Sequence, residues 1–227
     1  MVHVTWGIVI ACGRDEQIAE GVYTPFLDLV GKPVLTYSLL AFERCPEIDA
    51  VLVMAAGERV DSVRSMKQMY GCAKVRRVLA GTTQRQSSMA VALRALDEDI
   101  SMVVTHDASR PLFNSEPVAA VLKSAKRYGS GVTAARAREA IKQAHKGTTV
   151  TATLGPDVWV SMTPQAFRRE WLCQGYEAAA RKKQVLADDS AALELTGKEI
   201  RLVEAASLSI RIRGPADLKL AMALAQP

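Results

Sequence analysis

Short apolar runs alternate along this chain with longer segments in which apolar residues recur at helical spacing. The apolar runs predict buried strands, and the segments between them predict helices. The predicted strands cover residues 6–11, 48–55, 74–79, 102–105, 131–135, 200–203 and 209–212. The predicted helices cover residues 34–43, 60–70, 85–96, 115–128, 167–181, 188–196 and 215–225. This order predicts an α/β protein with Rossmann-like three-layer α/β/α architecture, a mostly parallel sheet between two layers of helices.

Two segments depart from this alternation. Residues 14–32 are polar and are interrupted by glycine and proline, which predicts a loop. Residues 136–162 contain short β-prone pieces, at 148–153 and 158–162, again separated by glycine and proline. We therefore expect one domain over residues 1–227 with a protruding β-arm inserted at 136–162. Arms of this kind often join subunits, so a homodimer through the β-arm is expected; the alternative is a disordered lid.

Composition narrows the class of ligand. The chain has 227 residues, a formal net charge of +5, and 49% apolar and 23% charged residues, as in an ordinary globular protein. A mildly basic chain suits an anionic small molecule, and the absence of a Lys/Arg block argues against nucleic acid as a partner. No apolar run approaches the roughly 18–20 residues needed to span a bilayer, so we expect no membrane partner.

The cysteines indicate a reducing compartment. Cys12, Cys45, Cys72 and Cys173 lie far apart in the sequence, and no Cys-x-x-Cys or zinc spacing occurs. We expect four reduced thiols in a cytoplasmic protein.

Candidate chemistry follows the predicted strand at 102–105. His106, Asp107 and Arg110 come directly after it, and the chemistry of parallel sheets gathers at the carboxyl ends of the strands. A carboxylate there can hold a divalent metal against a phosphate, and an arginine can bind a phosphate through two hydrogen bonds. In the alternative interpretation, Asp107 caps the next turn and Arg110 is a solvated surface residue.

Other segments offer weaker signals for a phosphate or nucleotide. Ala11-Cys12-Gly13 follows the first predicted strand, where backbone N–H groups are exposed for a phosphate or a base edge, but a strand-ending glycine is common. Ser88 follows the turn at Gly81 and is either a ligand contact or a helix cap. Asp188 is either a metal or polyol ligand or a helix N-cap. Lys142 and Arg211 are either phosphate contacts or surface charges.

Taken together, these blocks give the chain a resemblance to a known family. It resembles the 2-C-methyl-D-erythritol 4-phosphate cytidylyltransferases over nearly its whole length, in the order and spacing of seven blocks. They are Ala11-Cys12-Gly13, Phe26 to Leu35, Gly81-x-x-x-Arg85-x-x-Ser88, His106-Asp107-Ala108-x-Arg110-Pro111, Thr163-Pro164-Gln165-Ala166-Phe167, Asp188-Asp189, and Ile210-Arg211-Ile212-x-x-Pro215-x-Asp217-Leu218.

The resemblance implies a fold, a reaction and a set of site residues. The fold is that of the nucleotide-diphospho-sugar transferases. In the reaction, a sugar-alcohol phosphate attacks the α-phosphate of CTP and releases pyrophosphate, in isoprenoid precursor biosynthesis by the non-mevalonate route. The implied catalytic residues are Asp107, Arg110 and Arg211, with Asp107 also a Mg²⁺ ligand. The implied nucleotide-binding residues are Ala11, Cys12, Gly13, Arg14, Gly81, Arg85 and Ser88. The implied substrate-binding residues are Asp107, Arg110, Lys142 and Asp188.

The first loop departs from the family pattern. The family has a second glycine, an arginine and a methionine where this chain has Asp15, Gln17 and Ile18, and Pro-Lys-Gln where it has 23–25. Both cations expected to neutralise the triphosphate are therefore missing, at Gln17 and Thr24, and loss of one transition-state cation typically costs a few kcal/mol. We expect weak triphosphate binding, with Arg14 or Arg85 taking over phosphate contacts.

Other departures concern the base and the acceptor. Thr82 and Ala92 stand where the family commonly has glycine, and Ala140 and Ala187 stand where it has substrate-contacting threonines. Arg211 replaces the family's lysine near the α-phosphate and is a wider, flatter donor.

These departures leave three hypotheses. The first is a cytidylyltransferase acting on 2-C-methyl-D-erythritol 4-phosphate. The second is a nucleotidyltransferase for another polyol phosphate, such as ribitol 5-phosphate, or for another nucleotide. The third is a catalytically impaired homologue that binds a ligand or a partner.

Overall fold

Seven strands form one central sheet in the structure, a computed structural model that describes residues 4–205 and 209–225. They are β1 (Val4–Ala11), β2 (Ala50–Ala55), β3 (Val75–Ala80), β4 (Ile100–Asp107), β5 (Ser130–Arg136), β6 (Trp159–Arg168) and β7 (Leu202–Glu204). Their order across the sheet is β7-β5-β6-β4-β1-β2-β3. Only β6 runs antiparallel to both of its neighbours, so the prediction of a mostly parallel sheet is confirmed.

Within the described residues, seven α-helices accompany the sheet. They are α1 (Val34–Glu43), α2 (Val60–Met69), α3 (Arg85–Arg94), α4 (Ser115–Tyr128), α5 (Arg169–Lys182), α6 (Ser190–Glu194) and α7 (Pro215–Ala225). Side chains of β1 alternate between two apolar cores, with Val9 in one and Ile8 and Ile10 in the other. The first core contains α1, α2 and α4, and the second contains α3, α5 and α6. The three-layer α/β/α architecture is therefore confirmed.

Several expected elements are displaced or absent. The predicted strand at 209–212 is wrong: this segment is irregular, because Ile212 donates its N–H to the carbonyl of Ser109 instead of joining the sheet. The Thr163–Phe167 block, whose last residue was expected to begin a helix, lies on β6. Residues 14–32 are not entirely loop, since they form two small hairpins, Gln17–Ala19 with Val22–Tyr23 and Asp28–Leu29 with Lys32–Pro33.

The predicted β-arm contains an exposed antiparallel hairpin. Lys142–His145 pairs with Thr149–Thr153, and the backbone groups of Ile141 and Leu154 also hydrogen-bond across it. The second β-prone piece belongs instead to the start of β6, which pairs with β5 in the central sheet. This part of the segment thus forms a β-ribbon, and its role as a dimerisation arm stays a prediction.

Within residues 4–205 and 209–225, no helix is both long and apolar enough to cross a membrane. All four cysteines are free thiols, as the sequence predicted.

The packing of α5 against α6 depends on a glycine. A Cβ added to Gly175 would lie 2.4 Å from the carbonyl oxygen of Ala192, which is backbone and cannot rotate away. We expect Gly175→Ala to lower the free energy of unfolding by about 1–3 kcal/mol, the usual range for overpacking. Urea denaturation measures this loss, with Gly57→Ala as control because nothing lies within 4 Å of its added Cβ. Equal stability of the two variants would contradict the prediction.

Candidate active site

Charged side chains meet where β1 and β4 end side by side. Ile10 of β1 is aligned with Asp107 of β4. The turn after β4 adds Ser109 and Arg110, and the start of α3 adds Arg85. The first loop and the irregular segment 209–212 close over these residues. The carboxyl edge of the sheet is therefore the candidate site, as the sequence predicted.

Asp107 lies among three guanidinium groups. Its Oδ1 accepts a hydrogen bond from Arg85 Nε at 2.8 Å, and its Oδ2 lies 3.7 Å from an Nη of Arg211 and 3.9 Å from Arg110 Nε. Burial alone would raise the pKa of Asp107, but the arginines, Arg85 foremost, hold that pKa well below its usual range. Asp107 is therefore ionised, and the structure brings together the three predicted catalytic residues Asp107, Arg110 and Arg211.

Arg85 is engaged by carboxylates through all of its donor nitrogens. Both Nη atoms donate to Asp189, each at 2.8 Å, while Nε donates to Asp107. Asp189 is fully buried and also accepts a 2.5 Å hydrogen bond from the hydroxyl of Tyr176. Burial would lower the pKa of Arg85, but Asp107 and Asp189 raise it well above its ordinary value. In this structure Arg85 binds Asp107 and Asp189, and a phosphate contact by Arg85 stays a prediction.

Glu16 is a site residue that the sequence did not indicate. Its carboxylate accepts hydrogen bonds from the N–H and the hydroxyl of Ser109, both at 2.8 Å, and from an Nη of Arg211 at 2.9 Å. Burial, followed by the charge of Asp107, raises the pKa of Glu16 to about 7, against the opposing effect of Arg211. In the sequence, Glu16 is only one of two adjacent acidic residues in the first loop, Asp15 and Glu16.

His106 holds the turn after β4 as a neutral side chain. Burial lowers its pKa to about 3. Its Nε2 lies 3.1 Å from the carbonyl of Arg110, which can only accept, so Nε2 carries the hydrogen. Its Nδ1 faces the hydroxyl of Thr163, which in turn accepts from the N–H of Asp107. The imidazole therefore fixes the backbone of the turn that carries Asp107 and Arg110.

Arg110 is 7% exposed and lies at the inner wall of the site. One of its Nη atoms donates to the carbonyl of Ser209. Burial lowers its pKa to about 10, against the raising effect of Asp107, so it stays a cation at neutral pH. The alternative of a solvated surface arginine is wrong.

The predicted nucleotide-binding residues divide between a pocket and its supporting wall. A cavity of about 290 Å³ opens beside the first loop and is lined by Arg14, Asp15, Thr83, Gln84, Arg85, Gln86, Tyr176, Val185, Leu186 and Ala187. The first loop is held to the turn after β3 because Arg14 donates its N–H to the carbonyl of Thr83. Among the described residues, the guanidinium of Arg14 has no carboxylate partner, so it is the available cation in this pocket.

Ala11, Cys12, Gly81 and Ser88 lie behind that pocket. A Cβ on Gly81 would lie 2.2 Å from the sulfur of Cys12, so the two segments approach as closely as glycine allows. The hydroxyl of Ser88 accepts from the N–H of Thr82 at 2.8 Å, and Ser88 is fully buried. The hydroxyl of Ser88 therefore helps to shape the loop in this structure, and its contact with a nucleotide stays a prediction.

The two predicted polyol contacts lie outside the arginine cluster. Lys142 is on the exposed hairpin, where Nζ donates to the hydroxyl of Thr153 at 2.8 Å. Asp188 accepts from Ser161, Gln165 and Ser190, and from the N–H of Ala191. These bonds outweigh burial and lower its pKa. The structure does not bring Lys142 or Asp188 into contact with Asp107, and it supports the capping interpretation of Asp188.

The chain does not form a metal site of its own around Asp107. Within the two described ranges, no group of three or more His, Cys, Asp or Glu side chains could hold a metal ion. The carboxylate of Asp107 faces three cations, an environment that repels a further one. These residues do not fit a resident Mg²⁺, so the nucleotide's own phosphates would have to carry it.

Comparison with known proteins gives one consistent answer. Residues 5–226 match the family described as 2-C-methyl-D-erythritol 4-phosphate cytidylyltransferase. The chain is 32% identical to the protein of that name from Pelotomaculum thermopropionicum, over 96% of this chain and 92% of that one.

Two solved structures share the fold. The 4-diphosphocytidyl-2C-methyl-D-erythritol synthase of Anaerococcus prevotii superposes with a TM-score of 0.88 at 23% identity, over 100% of both chains, a level that shows the fold alone. The 2-C-methyl-D-erythritol 4-phosphate cytidylyltransferase of Thermus thermophilus superposes with a TM-score of 0.76 at 27% identity, over 96% of this chain and 97% of that one.

Proposed function

The chain belongs to the 2-C-methyl-D-erythritol 4-phosphate cytidylyltransferase family, and from this we propose that it transfers CMP from CTP to 2-C-methyl-D-erythritol 4-phosphate with release of pyrophosphate. The observation that carries the proposal is the convergence of Arg110 and Arg211 on Asp107 at the carboxyl edge of the sheet. Next to it lies a pocket with one unpaired cation, Arg14. In this family the reaction serves isoprenoid precursor biosynthesis.

The chemistry proposed for this site is positioning and charge neutralisation. A phosphate oxygen of the acceptor forms a bond to the α-phosphorus of CTP, and the bond to the β-phosphate oxygen breaks. The electron pair leaves with pyrophosphate, so negative charge grows on the oxygens around the α-phosphorus. Arg211 and Arg110 are the cations that meet this charge, and Asp107 fixes their orientation. CTP is proposed to enter as its Mg²⁺ complex, with the metal carried by the nucleotide phosphates.

Calorimetric titration with CTP and Mg²⁺, followed by assay of pyrophosphate release on adding 2-C-methyl-D-erythritol 4-phosphate, tests this function. Binding with release of pyrophosphate supports the transferase. Ribitol 5-phosphate is assayed in parallel, because Ala140 and Ala187 replace threonines that the resemblance places at the acceptor. A folded sample without binding or turnover favours the third hypothesis, which the pairing of Glu16 with Arg211 also supports.

Arg14 is the residue proposed to take over triphosphate binding. We expect Arg14→Ala to raise the KM for CTP about fivefold and to change kcat little, because an exposed cation contributes about 1 kcal/mol to binding in both ground and transition states. Steady-state kinetics at several CTP concentrations measure the two constants. Arg181→Ala, on the exposed face of α5, is the control, and unchanged kinetics for Arg14→Ala would exclude this role.

The remaining proposals concern assembly and location. We propose a homodimer through the β-arm, supported by the exposure of Val150 and Leu154 on the hairpin and of Val160 beside it. Light scattering of the purified protein tests the mass of the assembly. A cytoplasmic location, and the absence of nucleic-acid and membrane partners, stay predictions.

A further inference from the structure

Three donors that suit a phosphate converge on one point next to Asp107. They are the backbone N–H of Ser109, the hydroxyl of Ser109 and the guanidinium of Arg211. A backbone amide, a hydroxyl and a guanidinium together form a typical donor set for phosphoryl oxygens. In this structure all three groups donate hydrogen bonds to the carboxylate of Glu16. The chain therefore supplies its own anion to an anion-binding position.

Arg211 has little capacity left for a second anion. Its Nε is directed at the hydroxyl of Ser109 at 3.1 Å, and one Nη donates both to Glu16 and, at 3.2 Å, to the carbonyl of Asp15. Its other Nη lies 3.7 Å from Asp107. A phosphate that binds to Arg211 in the same way would occupy the place of the Glu16 carboxylate.

The charges around Glu16 are balanced. The cations of the cluster are Arg85, Arg110 and Arg211, and its carboxylates are Glu16, Asp107 and Asp189. The thiol of Cys12 lies near enough for Glu16 to raise its pKa, and Asp15 adds a further exposed negative charge beside Arg211. While Glu16 is ionised, three carboxylates offset the three guanidinium groups of the buried cluster, and Arg213 adds an exposed positive charge near Arg110.

Glu16 lies on a segment from which it can leave. It ends a single turn of 3-10 helix, Arg14–Glu16, whose other two residues are exposed. The turn follows Gly13, which has a positive φ of 99° that other residues rarely adopt. Within the described residues, the side chain of Glu16 and the carbonyl of Asp15, which accepts from Arg211 at 3.2 Å, connect the turn to the buried cluster.

We propose that Glu16 is a specificity-determining residue that occupies the phosphate position of Ser109 and Arg211, so that a phosphoryl ligand binds there only by displacing its carboxylate. The inference deepens the proposed function and rests on it for the identity of the ligand. It predicts that polyanions bind this site weakly in the wild type and that a single substitution releases the position.

Titration with inorganic pyrophosphate tests the inference without requiring transfer. The variant is Glu16→Gln, whose neutral amide still offers an acceptor to Ser109 but binds the guanidinium of Arg211 less strongly, so a phosphate displaces it more easily. Asp15→Asn is the matched control, since it removes one negative charge from the neighbouring residue, whose side chain is exposed. We expect Glu16→Gln to bind pyrophosphate at least about tenfold more tightly than the wild type, the effect of roughly 1.4 kcal/mol. We expect the pyrophosphate affinity of Asp15→Asn to stay within about threefold of that of the wild type, because solvent and salt screen an exposed charge.

Each outcome decides the inference. Equal gains in the two variants would mean that general repulsion, and not occupancy of the position, weakens binding, and this would overturn it. No gain in a folded Glu16→Gln protein would overturn it as well. If Glu16→Gln does not fold, the wild type soaked with pyrophosphate gives the answer by crystallography, because Glu16 still bound to Ser109 beside a bound ion contradicts displacement.

CTP in the same titrations separates this inference from the proposed function. A gain for pyrophosphate in Glu16→Gln, with no CTP binding to any variant, would support the inference and reject cytidylyl transfer. Turnover of CTP by the wild type, with no effect of Glu16→Gln on either ligand, would support the transferase and reject the role of Glu16.

Discussion

Replacement of Arg85 by alanine is expected to lower the free energy of unfolding by about 3–5 kcal/mol, the range for removing one partner from a buried ion pair. Asp189 is fully buried and receives two hydrogen bonds from Arg85, and Asp107 receives a third. Without the guanidinium, the buried carboxylates of Asp107 and Asp189 repel each other across the vacated space. Few single substitutions outside the core leave as much uncompensated charge.

Urea denaturation measures this effect, and Arg64→Ala is the matched control. Arg64 also makes a 2.9 Å ion pair, with Asp61, but both side chains are more than half exposed. We expect less than about 0.5 kcal/mol for the control, because exposed ion pairs contribute little. Similar losses in the two variants would show that the Asp107–Arg85–Asp189 cluster is not stabilised by this arginine.

Much of the fold was predictable because local signals mark it. Helices α1, α4 and α7 begin and end at the predicted residues. In α4 the N-cap Asn114, the acidic first turn and the glycine in left-handed conformation after Tyr128 mark both ends. Such signals lie within a few residues of the boundary that they set.

The sequence-based predictions were wrong where contacts between residues far apart in the sequence determine the structure. The segment 209–212 has β-prone residues, yet it closes the site because Ile212 bonds to Ser109 and Arg211 bonds to Glu16. Glu16 itself is separated from Ser109 by 93 positions and from Arg211 by 195. No local pattern distinguishes a carboxylate with such partners from the exposed Asp15 before it. The resemblance to the family identified Asp107, Arg110 and Arg211. Asp107 and Arg110 keep the family's residues, and Arg211 keeps the charge of the family's lysine.

The largest effect on activity is expected at Arg211. Arg211→Ala is expected to lower kcat about 10²–10³-fold, the usual result of removing one donor aimed at charge that develops in the transition state. Arg211→Lys restores the family's own residue type and keeps the charge, so we expect it to recover most of the lost activity. Pyrophosphate release at saturating CTP and acceptor measures kcat in each variant.

Arg213→Ala is the control that separates the catalytic effect of Arg211 from the effect of removing any positive charge near the site. Arg213 lies two residues after Arg211 and is exposed. It is expected to keep kcat within about threefold, because screened surface charges act weakly at this distance. The pair Arg211–Glu16 adds a second criterion. If Glu16 occupies the phosphate position, Glu16→Gln raises the affinity for pyrophosphate less in the Arg211→Ala background than in the wild type, because carboxylate and phosphate then compete only for the N–H and the hydroxyl of Ser109. Additive effects of the two substitutions on pyrophosphate affinity would mean that Arg211 and Glu16 act on different parts of the ligand.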